Sequence, residues 1–92
     1  MPVTLYKEKN GESLGILCND EWEMPIQIDA LEAWLFENEG KFEFGNYIAD
    51  LGFRPRKDPS GGGAILSSKA MKIMVGIGME LYLSEYPVCE DD

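Results

Sequence analysis

Glycine and proline interrupt this chain so often that every regular element in it must be short. Asn10-Gly11, Pro25, Gly40, Gly52, Pro55, Gly61-Gly62-Gly63, Gly78 and Pro87 each fall where a patterned run stops. Glycine accepts the left-handed backbone of turns and helix ends, and proline lacks the N–H that helix interiors and inner strands use. The longest apolar stretch, around Met74 to Met79, is itself broken by Gly76 and Gly78, well short of the ~20 residues that cross a bilayer. Residues 1–20 lack a basic start followed by an apolar stretch, so no secretory signal is expected. The expectation is a cytoplasmic protein with no membrane partner.

Between the breaks, side-chain spacing assigns the elements. Val3 to Lys9 reads as a strand, with Val3, Leu5 and Lys7 on one face and Thr4, Tyr6 and Glu8 on the other. Asn10-Gly11 suits a hairpin turn, and Leu14 to Cys18 is the expected returning strand. Asp29 followed by Glu32 has the form of a capping box, and Ile28, Leu31, Trp34 and Leu35 carry helical spacing. A helix over 29–38, ended by Gly40, follows from this. Phe42 and Phe44 alternate as in a strand, but Lys41 to Phe44 is only four residues long.

Asn46 is expected to cap a short helix through Tyr47, Ile48 and Leu51, stopped by Gly52. Phe53 to Lys57 and Ala64 to Leu66 would form two strands around a glycine-rich loop, with Pro55 restricting the first to a sheet edge. Ser67 or Ser68 then caps a helix with Ala70, Ile73, Met74 and Ile77 as its apolar stripe, ended by Gly78. Met79, Leu81 and Leu83 alternate with Glu80, Tyr82 and Ser84 as a last strand, stopped by Pro87. The chain is thus predicted to be one α+β domain over residues 1–92, with a mainly antiparallel sheet and two main helices. Its order would be β-β-α-(short α)-β-β-α-β, and residues 88–92 would be a frayed acidic end.

Charge narrows the function. Seventeen acidic side chains face eight basic ones with no histidine, a net charge of −9 on 92 residues. Such a field opposes direct binding to a nucleic-acid backbone. The distribution is uneven: residues 1–19 sum to zero, 20–50 to −8, 51–72 to +4 and 73–92 to −5. Glu37 and Glu39 stand at the expected C-terminal end of the first helix, where the macrodipole is negative and an exposed carboxylate costs about 0.3–1 kcal/mol. Lys41 is placed to offset part of this. A local rule broken in this way points toward function, beside the plainer role of keeping the protein soluble.

No catalytic or metal constellation stands out. Without histidine the usual neutral-pH base and the commonest metal ligand are missing. Ser67-Ser68-Lys69 lacks Ser-x-x-Lys spacing, and no G-x-S-x-G elbow occurs. Arg54, Arg56 and Lys57 precede three glycines, yet neither a Walker nor a dinucleotide loop is present. Asp20, Glu21 and Glu23 lack the alternating pattern of a calcium loop. Cys18 and Cys89 are expected to be reduced thiols, and no cofactor or metal is expected.

The sequence therefore predicts a non-catalytic, acidic protein-binding domain that docks carboxylates on a basic partner surface, as inhibitors, immunity proteins and nucleic-acid mimics do. Its expected contact residues are Asp20, Glu21, Trp22, Glu23, Glu37, Glu39 and Glu43, with Arg54, Arg56 and Lys57 as a secondary basic contact. Trp22, Tyr82 and Tyr86 are candidate aromatic anchors, or else edges of the core. The alternative is a self-assembling subunit whose basic 54–72 segment meets acidic segments of another copy.

Overall fold

The computed structural model describes residues 3–17, 21–55 and 63–87. Strand β1 (Val3–Lys7) turns back into β2 (Ser13–Leu17), and helix α1 (Met24–Glu37) leads to β3 (Tyr47–Phe53). Helix α2 (Ser68–Ile77) then leads to β4 (Met79–Glu85). One mixed sheet results, in the order β2-β1-β3-β4. Its first two pairings are antiparallel and β3–β4 is parallel, with α2 as the crossover. This is a small α+β domain, as predicted.

The hairpin forms where Asn10-Gly11 places it. Gly11 takes φ +68° and donates to the Lys7 carbonyl at 2.8 Å, while Lys7 donates to Glu12 at 2.9 Å. A register slip between Leu5 and Tyr6 brings Ser13 into the ladder, so β2 begins one residue earlier than expected. Cys18 lies outside the described residues, as does Cys89.

Helix α1 begins at Met24, not at Asp29. Pro25, a break in the sequence pattern, has the fixed φ and missing N–H that fit a first helical turn, and Glu23 is the N-cap. Asp29 is an exposed helical residue. Glu32 closes no capping box; its carboxylate accepts the Ser67 N–H at 2.6 Å and so joins α1 to the start of α2. The helix stops at Asn38, whose side-chain amide donates to the Trp34 carbonyl at 2.8 Å, and Gly40 falls in the turn that follows.

The largest correction is β3. The short helix expected from Asn46 is a strand, and Asn46, at φ +34°, is a bend before it and not a cap. Tyr47, Ile48, Ala49, Leu51 and Gly52 are all buried, because β3 is paired on both sides. The expected strands at 53–57 and 64–66 do not form among the described residues. Strand β3 ends at Phe53, and Ala64 to Leu66 is irregular.

Helix α2 follows expectation. The Ser67 hydroxyl accepts from Ala70 N–H at 3.1 Å, and Gly78 ends the helix at φ +76°. Both helices supply apolar side chains to one core. Ile28, Leu31 and Leu35 of α1, with Ala70 and Met74 of α2, meet Val3, Leu5, Tyr47, Ala49, Leu51 and Met79 of the sheet. The ladder gives those sheet residues a common face. The other face carries Thr4, Asp50 and Tyr82 in one row and Tyr6, Ile48 and Glu80 in the next.

Candidate functional site

Helix α1 divides the expected acidic contact surface. Glu21, Trp22 and Glu23 stand at its start, whereas Glu37, Glu39 and Glu43 stand at or beyond its end. Fourteen residues separate the two groups by about 20 Å at 1.5 Å per residue. Asp20 lies outside the described residues, and so do Arg56 and Lys57. Among the described residues, the segment with the highest acidic density therefore does not form one patch.

At the start of α1, the side chains are engaged within the chain. Glu21 Oε1 accepts from the backbone N–H groups of Trp22 and Glu23, at 3.2 and 3.1 Å. Trp22 is half-buried and edge-on to Tyr86, with ring centroids 5.8 Å apart, and the Arg54 guanidinium lies 4.1 Å from its ring centroid. The Trp22 carbonyl also accepts from Arg54 N–H at 3.0 Å. Trp22 and Tyr86 thus pack on each other, and Arg54 packs on the tryptophan of its own chain.

At the end of α1, the electrostatic anomaly persists. The last helical turn holds no basic residue, and Lys41 forms no ion pair with Glu37 or Glu39. Glu43 is exposed, and its backbone carbonyl accepts the Tyr47 hydroxyl at 3.0 Å.

A second acidic surface comes together only in three dimensions. Both helices pack on one face of the sheet, so among the described residues no helix covers the other face. There Tyr6 is half-buried and Tyr82 is 41% exposed, with Ile16 of the β2 edge beside Thr4 at 58%. Glu8, Asp50 and Glu80 share this side. The Asp50 carboxylate accepts the Ser84 hydroxyl at 2.7 Å, which leaves its remaining lone pairs available. The Tyr82 hydroxyl titrates above its ordinary 10.0: first because surrounding atoms strip part of its water, then because Glu80, Glu8, Tyr6 and Asp50 repel the phenolate.

Carboxylates from β3, β4 and the residue just past β1 thus share the Tyr82 side of the sheet. Tyr82 and Glu80 were legible as solvent-facing from their alternation. Tyr6, Glu8 and Asp50 were not, because only the ladder sets them beside Tyr82. Among the described residues, no three His, Cys, Asp or Glu side chains are grouped to hold a metal ion, and no helix is long and apolar enough to cross a membrane. No protein-family model matches the chain, and neither a curated protein nor a solved structure is similar to it.

Proposed function

We propose that this chain is a non-catalytic, cytoplasmic protein-binding domain that docks an acidic surface on a basic partner, in the manner of an inhibitor, immunity protein or nucleic-acid mimic. The observation that carries this reading is the helix-free sheet face, where Glu8, Asp50 and Glu80 stand with Tyr6 and Tyr82. Tyrosine offers rigid apolar area and a polar tip, and its ring accepts the flat side of an arginine. The carboxylates accept the guanidinium edge. A basic partner fits this face better than a second copy does, since two such faces would oppose their carboxylates. Glu37, Glu39 and Glu43 lie outside the face and serve in this reading as a long-range attractive field.

Affinity capture from native extract, eluted with a salt gradient, supplies the partner, and stopped-flow association with it tests the reading. Glu8→Lys with Glu80→Lys should slow association about tenfold at low salt and flatten its salt dependence. Reversal at Glu37, Glu39 and Glu43 should have a smaller effect. An on-rate indifferent to both sets and to salt would sink the proposal. The self-assembly alternative is weakened by Arg54 packing on Trp22 of its own chain. A strict monomer in light scattering, at low and at high salt, removes it.

A further inference from the structure

On the helical side of the sheet, α2 and the loop that leaves α1 enclose a groove of about 450 Å³. Lys69, Lys72, Ile73 and Gly76 line it, and their i, i+3, i+4, i+7 spacing makes them one face of α2. Glu39 and Phe42 belong to the opposite wall. The end of α1 and the loop after it together run beside α2. The Lys69 ammonium lies 5.0 Å from the Phe36 ring centroid near the start of α2, and Gly45 N–H donates to the Ile77 carbonyl at its end, at 2.9 Å. The groove therefore has a cationic end and an apolar end. Phe42 is fixed at the apolar end by stacking on Trp34, with centroids 5.4 Å apart.

Two observations point to a ligand. The first is charge: two lysines and one glutamate line the groove, so its lining carries net positive charge in a chain of net charge −9. Among the described residues neither lysine has a carboxylate within ion-pair distance. The second is Gly76, which sits inside a helix where alanine is the better helix former. Its φ is not positive, and a Cβ there would meet nothing within 4 Å. Neither backbone conformation nor packing calls for glycine at this position; what its missing side chain leaves is open groove.

We propose that this groove binds an amphipathic monoanion, with a carboxylate head on Lys69 and Lys72 and an apolar body along Phe42, Ile73 and Ile77, passing over Gly76. A groove of this volume is of ligand-binding size. Glu39 repels the head and so holds it to the lysine wall. The residues involved are separate from the sheet face, so this site stands or falls independently of the docking reading.

The test is an amide chemical-shift titration of the whole chain with decanoate and, in parallel, decylammonium, both below their micelle concentrations. Decanoate should give saturable shifts at Phe42, Ile73, Gly76 and Ile77, and bind about fivefold or more tighter than decylammonium. Lys72→Gln should weaken decanoate about three- to fivefold, and Glu39→Gln should tighten it. Gly76→Leu should fill the groove and abolish binding while Tm holds or rises. Equal affinity for the two amphiphiles, shifts centred elsewhere, or undiminished binding to Gly76→Leu would each overturn the assignment. So would concentration-dependent shifts of the groove amides without ligand, since a second copy would then occupy it.

Discussion

Gln27 enters the core on the first turn of α1, fully buried, and its side-chain amide donates to the Gly52 carbonyl at 2.7 Å and the Glu21 carbonyl at 2.8 Å. One side chain thus joins the start of α1 to the end of β3 and to the preceding loop. Gln27→Leu keeps the volume but leaves the Gly52 carbonyl without this donor. It should cost about 1–3 kcal/mol in urea unfolding. Neither Gln27 nor Glu32 announces its role in the sequence, because their partners lie 25 and 35 residues away. Tyr82 adds a pH-dependent effect. Its folded pKa is raised above 10.0, so its contribution is complete below pH 10.0 and lost as pH rises through the folded value. Stability measured from pH 8 to 11 should fall more steeply for the wild type than for Tyr82→Phe. In absorbance titrations, Glu80→Gln should bring Tyr82 ionisation to lower pH.

The elements most legible in the sequence are those whose signals are local. The hairpin turn rests on Asn10-Gly11, α2 on the Ser67 cap and the Gly78 stop, and β4 on alternation. Gly78 holds φ +76°, and a Cβ there would sit 3.0 Å from the exposed Phe44 ring, which would have to shift. Gly78→Ala should lower stability by about 1–2 kcal/mol in thermal unfolding. Gly76→Ala, two residues earlier, should raise it by about 0.5–1 kcal/mol. Strand β3 was hidden for a physical reason. On its helix-free face β3 sets buried Ile48 and Gly52 on either side of Asp50, which blurs the apolar–polar alternation, and Tyr47, Ile48 and Leu51 also satisfy helical spacing. The start of α1 was hidden because Pro25 reads equally well as a breaker and as a first-turn residue.

At the scale of the whole molecule, charge is sorted by face more than by sequence segment. The helix-free side of the sheet gathers carboxylates from residues 8, 50 and 80, which three separate stretches contribute. The −8 segment, by contrast, spreads its described acids over the two ends and the middle of α1 and lends only Asp50 to that face. Charge counting found the sign of the surface, but only strand register could find its position. The arrangement of the sheet has a further consequence, in time and not in space. Strands β1 and β3 are the only two, among the described residues, with neighbours on both sides, so their amides can open only when the sheet itself comes apart. Native-state hydrogen exchange should therefore find its slowest amides in Val3–Lys7 and Tyr47–Phe53, with β2 and β4 exchanging sooner. The unit that outlasts all others would be a pairing of two segments distant in the chain, one of which carries the spacing of a helix.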